Sequence, residues 1–192
     1  MDLMQQILQQ LVNGISLGSI YALIALGYTM IYGIIKLINF AHGDVYMVGA
    51  YTGFFAVTFA GFPLWAAIIA AMVVTGILGV LIERIAYKPL RNAPKISVLI
   101  TAIGVSFFLE YTSMYFVSPT PRTFPAMFGD VAVNIAGIVI NGQQMLILGI
   151  TAVLMVVLTY IVQKTKTGKA MRAASFDTET AQPMGIDSDR II

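Results

Sequence analysis

Five stretches of this chain are too apolar and too long to pack inside a water-facing domain: residues 11–35, 45–61, 64–82, 96–117 and 145–162. Crossing a hydrocarbon layer about 30 Å thick takes roughly 20 helical residues, and each run approaches or exceeds that length. The shortest is 45–61. Composition closes the soluble alternative: 58% of residues are hydrophobic and 10% are charged, against about 25% charged in an ordinary soluble domain. Lipid is therefore the solvent. The expected architecture is an all-α polytopic membrane protein with about five spans in the lipid bilayer.

The basic residues set a topology. Arg84, Lys88, Arg91 and Lys95 follow the third run, and Lys164, Lys166, Lys169, Arg172 and Arg190 follow the fifth. The connection 118–144 holds Arg122 alone. By the positive-inside rule, 83–95 and 163–192 are cytoplasmic and 118–144 is external. The side of the N-terminus stays open, because the link between the first two runs offers only Lys36. MDLMQQILQQ carries no Lys or Arg, so a cleaved signal peptide is not expected.

Several function classes drop out. The net charge is +2 with no basic or acidic tail, and nothing points to nucleic acid. With no cysteine and one histidine, His42, disulfides, thiol catalysis and His-based metal sites lack their parts. The chain is not expected to be an enzyme. TKTGKAMR departs from a phosphate-binding loop, because Gln163 replaces its first glycine and Ala170 its hydroxyl residue. ATP is not bound by that motif.

Within the external connection, Pro119, Pro121 and Pro125 give an irregular extended stretch. The alternation of Val131, Val133 and Ile135, then Ile138 and Ile140 around Gly137, predicts a small β-hairpin. Gly14, Gly18 and Ala22, and likewise Gly49 and Gly53, recur every four residues, a pattern that lets membrane helices approach closely.

The polar block INFAHGD interrupts the apolar pattern at 38–44. Gly43 can break a helix, Asn39 and His42 can form hydrogen bonds, and Asp44 can cap the run that follows. Polar backbone at membrane depth is tolerated only when buried in protein or lining a wet cavity. A tight surface turn needs the same residues, so a turn and a broken helix both fit. Glu110 lies inside the fourth run and must pair, snorkel outward or face a cavity. In the last segment, Ala170, Ala173, Ala174 and Ala181 suit an amphipathic helix, with Asp177 or Thr178 capping a second that Gly185 ends.

At these residues a family becomes visible. GSIYALIALGYTMIYGIIKLINFAHGDVYMVGAY resembles the N-terminal region of branched-chain amino-acid ABC transporter permeases, in particular those of the high-affinity leucine/isoleucine/valine systems. GKAMRAASFDTETAQPMGI is similar to the family's coupling segment, in which Glu179, Ala181 and Gly185 approximate the contact with the ATPases. Pro183 departs from a regular coupling helix, and Glu110–Tyr111 stands where relatives often carry Gln–Asn. The resemblance implies a membrane permease domain over 1–192, continuing past Asp189 into a further span, so that the chain is a fragment or truncated product. It implies a bacterial inner-membrane importer subunit whose partners are a second homologous permease, two cytoplasmic ATPase subunits and a periplasmic amino-acid-binding protein. No cofactor is expected on this chain, since ATP sits on the partners. Asn39, Phe40, His42, Gly43, Asp44 and Glu110 become pathway candidates, with the helix broken near 38–44. A urea or short-amide permease of the same family is the alternative, and an ion-coupled secondary transporter is the rival of another class.

Overall fold

The computed structural model describes residues 3–35, 38–90, 93–125, 132–135 and 138–176. The elements among these residues are helical apart from one small hairpin, in the order α1 (Leu3–Ile35), α2 (His42–Thr58), α3 (Leu64–Ile82), α4 (Lys95–Val117), β1 (Ala132–Ile135), β2 (Ile138–Asn141), α5 (Gly142–Lys164) and α6 (Lys166–Phe176). It falls into two units: Met1–Lys36 with Met127–Ile192, and Leu37–Ala126.

Among the described residues, four helices are long and apolar enough to cross a membrane: Leu3–Gly33, Leu64–Leu90, Lys95–Val117 and Gly142–Lys164. The expectation of about five spans is thus one too many. The run 45–61 forms α2, whose 17 residues rise only about 26 Å. Large apolar side chains face outward on the spans, with Val156 69% and Ile69 54% exposed. Such a surface has lipid as its natural neighbour, and helix association then relies on close packing and polar contacts.

In the first unit α1 and α5 run parallel. Near their N-termini, Gln144 Nε2 donates to Asn13 Oδ1 at 2.9 Å. Near their C-termini, Thr29, Met30 and Gly33 of α1 share a cavity with Val162 of α5. The hairpin expected in the external connection is present as an antiparallel pair, with Val133 opposite Ile140 and Ile135 opposite Ile138. Its second strand would expose unpaired backbone on its outer edge. Gln9 of α1 covers that edge: its Nε2 donates to Val139 O and its Oε1 accepts from Val139 N–H, both at 2.8 Å. This contact explains why α1 starts well before its apolar run. Asn141 then leads into α5, its N–H donating to Gln144 Oε1 at 3.1 Å, half of a capping box.

In the second unit α2 and α3 form an antiparallel pair joined through Gly61, which takes a left-handed φ of 64°. That conformation costs glycine nothing and lets Phe62 N–H reach Ala56 O at 3.0 Å. The α2–α3 contact is tight at one point, where a Cβ added to Gly49 would stand 2.9 Å from Thr75 Cγ2. At Gly14, Gly18 and Gly53 an added Cβ meets nothing within 4 Å among the described residues. α4 runs parallel to α2. Beyond its end, Arg122 lies 5.8 Å from the ring centres of both Phe54 and Phe55 on α2 and donates to Val117 O at 2.8 Å.

Candidate functional site

The polar block folds as a turn that Asn39 holds together. Its Oδ1 accepts from Ala41 N–H at 3.1 Å, the side-chain turn by which asparagine mimics backbone. Its carbonyl accepts from His42 N–H at 3.2 Å, and Ala41 O accepts from Val45 N–H at 3.0 Å. The residue at the N-cap of α2 is Ala41, without a side-chain cap. Asp44 lies in the first turn of the helix, past the N-cap, so it does not take the capping role expected of it, and Asn39 closes the turn before the helix instead. At that place its carboxylate still suits the positive end of the helix dipole.

Two side chains from other elements pin this turn. Tyr87 OH donates to Asn39 Oδ1 at 2.6 Å, and Ser106 Oγ donates to Asp44 Oδ2 at 2.5 Å. Tyr87 reaches Asn39 because α3 continues into a π-helical turn, Glu83–Tyr87. Pro89 has no N–H and its ring crowds the carbonyl four residues back, so regular α-helix cannot continue through it. The wider turn brings both Ala86 and Tyr87 against a cluster of Ala41, Ile82 and Leu109, together with Val45, Leu78 and Val105. Ala41 is 0% exposed. The polar turn is therefore embedded in protein on this side.

Its depth follows from α4. Ser106 is the middle residue of the 23 in Lys95–Val117. A helix of that length spans the hydrocarbon layer, so a residue at its midpoint sits near the centre. Asp44 shares that depth through Ser106, Asn39 lies towards the end of the Leu64–Leu90 helix where Tyr87 reaches it, and α2 runs along the C-terminal half of α4 towards Arg122. Glu110 stands one helical turn beyond Ser106, on the same side of α4. Phe40 is 47% exposed, and Gly43 has open space where a Cβ would stand. The structure thus joins Asn39 and Asp44 through Tyr87 and Ser106 and leaves Glu110 as a neighbour. Glu179, Ala181 and Gly185 lie outside the described residues.

Sequence reasoning passed over Tyr87 and Ser106. A hydroxyl in the middle of an apolar run, and a tyrosine two residues before Pro89, were the available signals. Tyr87→Phe removes one of the two donors to Asn39 Oδ1. Losing such a bond costs about 1 kcal/mol, so the variant should lose heat resistance modestly in a fluorescence-detected size-exclusion assay and still assemble.

With this geometry in hand, comparison with known proteins is informative. The family model described as the branched-chain amino acid transport system permease component matches residues 10–192. The chain belongs to this family. It is 43% identical to the high-affinity branched-chain amino acid transport system permease protein BraD of Pseudomonas aeruginosa, over 96% of this chain and 64% of that protein. It is 40% identical to the LivH protein of the same description from Escherichia coli K12, again over 96% and 64%. A probable branched-chain amino acid transport permease protein LivH from Methanocaldococcus jannaschii is 28% identical over 90% of this chain and 56% of that one. The chain spans just under two thirds of the length of the first two relatives. No solved structure matches it. Together with the four long apolar helices, these likenesses make it a multi-pass membrane protein of the transport permeases.

Proposed function

We propose that this chain forms part of the translocation path of an ATP-binding-cassette importer for branched-chain amino acids in the bacterial inner membrane. The observation that carries the reading is the turn 38–44, tied to the midpoint of α4 by Ser106 and to the end of α3 by Tyr87. Transporter sites are commonly built where helices break near the bilayer midplane and present a helix N-terminus to substrate. The positive end of α2 and the Asp44 carboxylate together offer both signs that a zwitterionic amino acid carries. The basic residues after α5 place its end in the cytoplasm, and since α1 runs parallel to α5, the N-terminus of α1 is external.

In this reading the chain performs transport rather than catalysis. A second homologous permease completes the path, two cytoplasmic ATPases hold the ATP, and a periplasmic binding protein delivers substrate. Glu179, Ala181 and Gly185 supply the ATPase contact. Single cysteines at Glu179 or Gly185 should crosslink to an ATPase subunit, and failure at both positions would remove that assignment. The transport reading is tested by uptake of labelled leucine into cells expressing the full-length protein with its partner subunits. Isoleucine and valine should compete, whereas leucinamide and urea should not. Competition by urea as strong as by valine would transfer the protein to the short-amide branch of the family.

A further inference from the structure

The first unit holds a second feature that the transport path does not use. A cavity of about 210 Å³ opens between the last turns of α1, the end of α5 and the second half of α6. Its lining is divided in character. Met30, Gly33, Val162 and Met171 form apolar wall, while Thr29, Arg172 and Ser175 are polar. We infer that this cavity is a headgroup site for an anionic phospholipid of the cytoplasmic leaflet, with the Arg172 guanidinium on the phosphate.

The donor and acceptor inventory points this way. Arg172 donates one bond, from Nη2 to Gln163 O at 3.2 Å. A guanidinium has five N–H donors in a planar fork that matches phosphate oxygens. Thr29 Oγ1 donates to Leu26 O at 2.9 Å and Ser175 Oγ to Arg172 O at 2.7 Å, so each hydroxyl proton is engaged and the oxygen is left as an acceptor. A phosphate accompanied by hydroxyl donors, as in a glycerol headgroup, satisfies all three. An ammonium headgroup is disfavoured by local charge: Lys164, Lys166 and Lys169 lie within eight residues of Arg172 and are exposed. Basic pockets between membrane helices on the cytoplasmic side are suited to anionic headgroups. The volume is several times that of a water, about 30 Å³, but too small for a whole lipid, so the acyl chains would lie outside along the exposed apolar faces of α1 and α5.

The choice of leaflet rests on the orientation proposed above, whereas a binding assay reads the site in either orientation. Full-length protein is reconstituted in nanodiscs of phosphatidylglycerol and phosphatidylcholine, and retained lipid is counted by native mass spectrometry. Wild type should retain phosphatidylglycerol preferentially. Arg172→Gln should lower that retention roughly tenfold, the loss of one charge-assisted contact, with Arg172→Lys restoring part of it. Gly33→Leu should lower it as far without unfolding α1, because a Cβ at Gly33 meets nothing within 4 Å. Retention unchanged in both Arg172→Gln and Gly33→Leu would overturn the proposal. So would displacement of the lipid by millimolar inorganic phosphate, which would give the site to a free anion, or equal retention of phosphatidylcholine.

Discussion

Replacing Gly168 with alanine should dislodge α6 from the end of α5. A Cβ on this residue would lie 2.2 Å from Val162 O and 2.3 Å from Ile161 O, where a Cβ is almost never found closer than about 3 Å. The obstacles are backbone carbonyls, which no rotamer change can clear. Gly168 is needed for space, not for an unusual φ. The α5–α6 corner is built around that approach: Thr165 takes an extended backbone, and its Oγ1 caps α6 by accepting from Gly168 N–H at 3.1 Å. Arg172 then reaches back to Gln163 O, a cation on the carbonyl end of α5. Overpacking of this kind costs about 1–3 kcal/mol and occasionally more, and here the cap is lost with it. In inverted membranes trypsin should cleave the variant after Lys166 and Lys169 at least about tenfold faster than wild type, while insertion is unchanged. Gly14→Ala is the control, since a Cβ there meets nothing within 4 Å and alanine is the better helix former by about 1 kcal/mol. A Gly168→Ala protein as resistant as wild type would contradict this account of the corner.

Asn39→Leu should reduce leucine uptake by more than tenfold, a larger loss than His42→Leu produces. Leucine has the same branched side-chain skeleton as asparagine but accepts no hydrogen bond. The substitution strands Ala41 N–H and Tyr87 OH, which both donate to Asn39 Oδ1. Each buried donor left without a partner costs about 1–3 kcal/mol. The damage is local to the turn, because the α2–α3 contact at Gly49 and the Arg122 contacts at the C-terminal end of α2 remain. The protein should insert and be purified at near-normal yield while transport fails. Asp44→Asn separates geometry from charge, since an amide oxygen can still accept from Ser106 Oγ. Its uptake should fall less than that of Asp44→Leu. Normal uptake by Asn39→Leu would reduce the polar block to a connecting turn.

Much of this was legible in the chain. The spans, the hairpin and the amphipathic helix after α5 follow from hydropathy and period, because lipid and strand geometry act on each segment separately. α2 was mistaken for a full span because 45–61 is apolar throughout, whereas its starting depth is fixed by bonds to residues 62 and 48 positions away in sequence. Asp44 was expected to cap the helix because its type and position suit that role, yet the competing partner was Ser106 on α4. The π-helical turn that delivers Tyr87 follows from Pro89 only once the path of α3 is known. Gly168 was read as part of a phosphate-binding pattern and dismissed. Its real constraint is the nearness of two carbonyls on a neighbouring helix, which no spacing rule shows.

The central claim, that the turn 38–44 borders a wet path near mid-membrane, can be measured directly because the chain contains no cysteine. Single cysteines at Phe40, His42 and Gly43 form one set, and Ile69 and Ile77, 54% and 57% exposed on α3, form the lipid-facing control. Each is treated with a membrane-impermeant, charged methanethiosulfonate reagent in the assembled transporter, with and without leucine. The account predicts modification in the turn, slowed by leucine, and none at the controls. Turn cysteines as unreactive as those at Ile69 and Ile77 would contradict it.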